Sequence, residues 1–234
     1  MEIKGIILDF GKKVDGLTNH KLSNIIKEGY IKAGIAVDDA LFLEAHVYGE
    51  QELARTSEIL PEADFANVLL IRIKIELGYL ASHGHFPPAL VDEKAAQVAG
   101  YCYDAIKQNL QSSIEILKQL SEKYPLVLLS EYFGKVSIVL KEFGIDTLFK
   151  KIIDLKEQGL SDSDPSVFEM AAKYLKCHIE NVLVIGDRKE GLLTATKIGC
   201  NAIALENLQS SALSKDDNAA IRHLEEILKF TEAI

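Results

Sequence analysis

Ile3-Lys4-Gly5-Ile6-Ile7-Leu8-Asp9-Phe10-Gly11-Lys12-Lys13-Val14-Asp15-Gly16 is the stretch on which the reading of this chain turns. A short apolar run, rich in Ile and Leu, ends abruptly in an aspartate. The run is too short for most helices and reads as a fully buried strand of a parallel sheet. Asp9 then stands at the carboxyl end of that strand, where open α/β sheets place their ligands. A strand-end aspartate that merely caps a turn would look the same in isolation. A second strand of the same kind, Val182-Leu183-Val184-Ile185-Gly186-Asp187, favours the first reading.

Outward from these two strands the second half of the chain alternates. Ser113 to Lys123 is an amphipathic helix, and Pro125 to Ser130 a buried strand ending in a hydroxyl. Lys135 to Phe143 reads as helix with Gly144 as its stop. Lys151 to Asp154 is a short strand, and Asp164-Pro165 caps and opens a helix through Lys176. After the strand to Asp187 come a helix closed by Gly199 and a strand from Asn201 to Leu205. Asp216 to Phe230 is expected to be a terminal helix, with Ile221, Leu224, Ile227 and Leu228 on one face. Strands alternating with helices predict an α/β fold with a parallel sheet.

Between the first strand and this alternation, residues 19 to 109 carry no buried-strand signal. Leu22, Ile25, Ile26, Gly29 and Tyr30 follow helical spacing. Asp38 and Asp39 suit the start of a helix from Leu41 to Ile59. Pro61-Glu62-Ala63-Asp64 opens a third helix and His83-Gly84-His85-Phe86-Pro87-Pro88 breaks it. A fourth runs from about Ala89 to Gln108. The expected organisation is a core of residues 1–16 and 110–234, with 17–109 inserted as a helical cap.

Composition narrows the function classes. A formal charge of −9 with the Lys residues spread among Asp and Glu argues against a nucleic-acid partner. No apolar stretch is long enough to span a bilayer free of charges, and no signal peptide is read. Cys102, Cys177 and Cys200 are odd in number and lack metal spacing, so a reduced, cytoplasmic chain is the simplest account. His83 and His85 read as plain loop, and Cys102 as packing.

The Asp-ending first strand, the helical insert, the Ser-ending strand and the Gly-Asp-ending strand together resemble the haloacid dehalogenase superfamily. The Gly-X-X-X-X-Asp-Pro-Ser-Val-Phe stretch from Gly159 to Phe168 and the later Ala195-X-X-X-Gly199 also fit. The likeness covers essentially the whole chain and implies a Rossmann-like core with a helical cap. Within the superfamily, Ala45 to Ala54 resembles one group of bacterial phosphatase-like members.

The resemblance implies roles. Asp9 takes the place of the nucleophile that forms a covalent aspartyl intermediate, and Ser130 that of the hydroxyl holding the phosphoryl oxygens. Asp9, the carbonyl of Gly11 and Asp187 take the place of Mg²⁺ ligands. Two positions depart from the pattern. The usual acid/base two residues after the nucleophile is Gly11. The usual Lys before the Asp-Pro helix is Asp162, a carboxylate where phosphoryl charge would sit. Lys151 and Lys156 are the nearest upstream substitutes.

For the further acid usual after Asp187, the stretch Arg188-Lys189-Glu190-Gly191-Leu192 offers only Glu190, out of register, while Lys12, Lys13, Arg188 and Lys189 flank the surviving acids. Asp9 and Asp187 could therefore be neutralised by side-chain cations instead of a metal. The alternative places these cations on solvated loop tips.

Two functional expectations follow. One is a weakly active or non-catalytic family member with a retained core–cap pocket and weak or absent Mg²⁺ binding. The other is an active phosphomonoesterase acting on a small phosphorylated metabolite through Asp9. A protein partner stays open, and dehalogenation ranks third.

Overall fold

The computed structural model describes residues 2–9, 22–55, 59, 62–132, 135–205, 219–221 and 224–232. Gly11, Lys12 and Lys13 lie outside them. The described residues form two compact units. One draws on Met1–Asn19, Leu110–Tyr132 and Phe143–Ile234, the other on His20–Asn109 and Phe133–Glu142. The expected core takes in all of residues 110–234.

The first unit is built on strands β1 (Gly5–Asp9), β2 (Leu126–Ser130), β3 (Lys151–Asp154), β4 (Val182–Gly186), β5 (Asn201–Leu205) and β6 (Ala219–Ile221). They pair in the order β3-β2-β1-β4-β5-β6, every neighbouring pair parallel. β1, β2 and β4 are buried along their whole length. That is why they read as continuous apolar runs rather than alternating ones. Ile7, Val127, Leu129, Ile153, Val182 and Val184 share one cluster with helices α6 (Pro165–Leu175) and α7 (Lys189–Lys197), through Val167, Phe168, Leu175, Leu192 and Ala195. Ile6, Leu8, Leu128, Leu183 and Ile185, at the alternate positions, are buried as well. The sheet is thus covered on both faces, as parallel sheets require.

Two expectations about elements are corrected. The stretch around Ile221 is not helical. Ala219–Ile221 pairs with β5, Leu205 opposite Ile221, and helix α8 spans only Glu226–Glu232. Ile221, Leu224 and Ile227 are all buried, so a strand followed by a helix left apolar residues at helical spacing. The helix from Ala89 and the one from Ser113 are a single element, α4 (Val91–Lys123), with no Gly or Pro in the intervening residues 109–112 to break it, and the helix expected after Ser130 is α5 (Val136–Glu142).

In the second unit, α1 (Leu22–Lys32), α2 (Asp39–Leu53) and α3 (Phe65–Ser82) surround a buried carboxylate, Glu76. Asp38 caps α2, accepting from Leu41 N, and Asp64 caps α3, accepting from Asn67 N. α2 ends at Leu53, short of the expected Ile59. Glu76 accepts from Arg72 Nε at 3.0 Å and Tyr30 OH at 3.2 Å, and lies 3.1 Å from His46 Nδ1. A Cβ at Gly49 of α2 would stand 2.5 Å from Glu76 Cγ. Glycine there lets α2 approach the carboxylate. Cys102 is fully buried beside Ile25 O, as packing.

Candidate active site

Parallel pairing brings the ends of β1, β2 and β4 to one edge of the sheet. Asp9 lies opposite Leu129 on β2 and Gly186 on β4. Ser130 and Asp187 are therefore the next residues along on either side of Asp9. Asp9 is 2% exposed and Ser130 5%. Ser130 Oγ accepts the amide of Tyr132 at 3.2 Å, which ties the hydroxyl to the loop leaving β2.

Asp162 joins them from the connection between β3 and α6. That connection is shaped locally: Asp154 at the end of β3 accepts the amides of Lys156 and Glu157, both at 3.1 Å. Leu155 N donates to Ser130 O and Leu160 N to Leu155 O, turning the chain back toward the sheet edge. Asp164 caps α6 by accepting from Ser166 N, with Pro165 at the first helical turn. Asp162, two residues upstream, is 1% exposed. Its neighbourhood is fixed by Gly191 of α7. A Cβ at that position would lie 2.9 Å from Asp9 Oδ2 and 3.0 Å from Asp162 Oδ2. The two carboxylates therefore converge on the space that glycine leaves.

Among the described residues, the cation against these acids is Arg188, which immediately precedes α7. Its Nε lies 3.0 Å from Asp162 Oδ2, and its Nη1 donates to Glu131 Oε2 at 2.8 Å. Burial raises the Asp162 carboxyl above the ordinary carboxylate range. Arg188 opposes this, while Glu131, Glu190 and Asp187 add to it. Burial works against the Arg188 charge, but Asp162, Glu131 and Asp9 outweigh it and raise its pKa further. The guanidinium stays charged at any working pH.

The sequence singled out Asp9, Ser130, Asp187, Asp162 and Arg188, and the sheet brings them together. Gly11 lies outside the described residues. Lys151 reaches over the Tyr174 ring, 5.5 Å from its centroid, and Lys156 is exposed. Glu131 was missed. Its one signal is an acid directly following the Ser that ends β2, and its importance depends on Arg188 reaching it from 57 residues away in the chain. Among the described residues, no group of three or more His, Cys, Asp or Glu is placed to hold a metal ion. That includes His83 and His85.

Residues 3–199 match the family model of the haloacid dehalogenase-like hydrolases. The chain belongs to that family. No curated protein sequence matches it. Among solved structures, a dehalogenase with an intermediate complex is similar at a TM-score of 0.64 and 14% identity, over 98% of this chain and 97% of the other. The candidate HAD-hydrolase YfnB from Bacillus subtilis, bound to magnesium, is similar at a TM-score of 0.60 and 12% identity, over 99% of both chains. A predicted phosphoglycolate phosphatase from Haemophilus somnus gives a TM-score of 0.54 and 14% identity, again over 99% of both. At such identities the likeness is one of fold, a parallel α/β sheet with a helical insertion. No helix among the described residues is long and apolar enough to cross a membrane.

Proposed function

We propose that this chain is a haloacid dehalogenase-like hydrolase with an incomplete phosphatase site, weakly active or non-catalytic. The observation that carries this is Asp162: a carboxylate, 1% exposed, converging with Asp9 on Gly191. Phosphoryl transfer depends on positioning and on positive charge around the transferring group. A second acid beside the nucleophile repels a phosphate ester and its transition state. Arg188 does not reverse this, because its charge is shared between Asp162 and Glu131.

Mg²⁺ belongs to the same reading. The resemblance gives Asp9, the carbonyl of Gly11 and Asp187 as its ligands, of which Gly11 lies outside the described residues. A hard divalent cation wants oxygen ligands in near-octahedral array, waters included. A guanidinium held within the acid cluster opposes a second cation there. This donor set does not fit tight Mg²⁺ binding, and no step is assigned to the metal. A small phosphorylated molecule remains the ligand class, held weakly or not at all.

The test is turnover of p-nitrophenyl phosphate at saturating Mg²⁺, with expected rates near background. A rate on the order of 1 s⁻¹ or faster, abolished by Asp9→Asn, would overturn the proposal. It would install the second reading, an active phosphomonoesterase with Asp9 as covalent nucleophile. That reading is favoured by Asp9 and Ser130 being held, buried, at adjacent strand ends.

A further inference from the structure

We propose that the helical unit carries a binding site of its own, for a flat aromatic ligand bearing negative charge. The site shares no residue with the acid cluster and goes beyond the function proposed above. It is a cavity of about 370 Å³ between α2 and α3, a volume within the range of small-molecule pockets.

Helical spacing builds its walls. Tyr48 and Glu52 stand one turn apart on α2, and Arg55 lines the cavity just past the end of that helix. From α3, Ile75, Tyr79 and Ser82 line it at the spacing of one helix face. The Tyr48 and Tyr79 rings lie 4.8 Å apart, tilted by 35°, and the His83 ring lies 4.2 Å from that of Tyr79. His83 Nδ1 donates to Tyr79 O at 2.8 Å, which holds its ring in place. Three rings from two helices thus form one series. Phe42 and Phe65 of the same helices are buried as core, whereas Tyr48 stays 39% exposed. An aromatic surface arranged in advance and left open is what a flat ring stacks on.

Gly78 lines the same cavity from α3. Glycine is a poor helix former, and within a helix it calls for a reason. At Gly49 the reason is the approach to Glu76, but a Cβ at Gly78 would meet nothing within 4 Å. Packing does not demand glycine there; its effect is to leave the cavity open beside Tyr79. The charge preference comes from Arg55, whose Nη1 donates to Glu52 Oε1 at 3.0 Å. The Arg55 side chain is 72% exposed, so that pairing is weak. With Glu52 already met by one nitrogen, the pair offers a ligand the remaining guanidinium donors rather than a bare carboxylate. A guanidinium also stacks on aromatic faces, which suits it to a ligand that is both flat and anionic.

The experiment titrates sodium 2-naphthoate into the full chain and follows the tyrosine ring and Gly78 amide resonances by NMR. Saturable binding with a Kd of about 1 mM or tighter is expected for a ligand of this size. Tyr48→Ala and Gly78→Leu should each weaken it at least about fivefold. Gly78→Leu fills the cavity with a good helix former, so it removes the site while keeping the helix. Arg55→Gln should weaken 2-naphthoate at least about twofold and leave neutral 2-naphthamide unchanged. The saturated analogue, decahydro-2-naphthoate, should bind at least about fivefold more weakly than 2-naphthoate. The proposal is overturned by no saturable shift up to about 10 mM, by equal binding of the saturated analogue, or by a 2-naphthoate affinity that Tyr48→Ala, Gly78→Leu or Arg55→Gln leaves unchanged. Because the readout is binding in the helical unit, wild-type phosphatase turnover would overturn the proposed function and leave this result standing.

Discussion

Arg188 Nε stands 3.0 Å from Asp162 Oδ2, a cation and an anion in reversed places relative to the family pattern. The position where the resemblance implies Lys is an aspartate. The positive charge comes instead from the residue after Asp187. The pair predicts a charge-swap result. Asp162→Arg alone, or Arg188→Asp alone, sets like charges against each other and should destabilise the chain by about 1–4 kcal/mol. The double swap should recover much of the loss, giving a favourable coupling of about 1 kcal/mol or more by urea denaturation. Additive losses would show that the two side chains do not interact.

The same pair alters what restoring activity requires. Asp162→Lys by itself places an ammonium against Arg188. It should raise phosphatase turnover only when Arg188 is also replaced by a neutral residue, with Gly11→Asp supplying the acid/base. Since such parts act as a unit, the triple variant should exceed the product of the single effects, measured with p-nitrophenyl phosphate and Mg²⁺. A rise of tenfold corresponds to about 1.4 kcal/mol of transition-state stabilisation.

Gly191→Ala tests the convergence of Asp9 and Asp162. Alanine favours a helix over glycine by about 1 kcal/mol. Here its methyl would meet two buried carboxylate oxygens at 2.9 and 3.0 Å. We expect net destabilisation of about 1–3 kcal/mol by chemical denaturation. Gly191→Asp should be worse, since it adds a third acid. An acid at this position, attractive from the family pattern, is contradicted by the packing.

The raised Asp162 carboxyl gives a pH dependence of definite sign. Burial, the largest cause, makes the folded state hold this proton more firmly than the unfolded chain does. Between the ordinary carboxylate value and the raised one, the folded state binds more protons, so stability falls as pH rises through that window. Asp162→Asn should remove this fall. The variant should melt above wild type at neutral pH, with the difference closing as the pH drops below the ordinary carboxylate range. A variant less stable than wild type at neutral pH would show that the Arg188 pairing outweighs burial.

In the helical unit, Arg72→Ala strips a buried Glu76 of its guanidinium. The expected cost is about 3–5 kcal/mol, because an uncompensated charge is left at 0% exposure. Replacing Arg72 and Glu76 together by Met and Leu should cost far less, as removal of both charges leaves nothing unpaired. Denaturant midpoints of the single and double variants decide.

What the sequence determined is the sheet and the order of its parts. Buried parallel strands read as apolar runs because both faces are covered. Each of β1, β2 and β4 ended visibly, in Asp9, Ser130 and Gly186-Asp187. The site was legible to the extent that its residues end strands, since parallel register carries strand ends to one edge. β6 was not legible: a three-residue edge strand has too short a pattern, and its apolar positions also match a helix. Nor was the internal charge balance legible. Arg188, Asp162 and Glu131 could be suspected one by one. That one guanidinium serves both carboxylates, and that Gly191 opens the space where Asp9 and Asp162 meet, depends on contacts between residues tens of positions apart. Sequence spacing sets which edge a residue reaches; only the packed fold sets which charge it meets there.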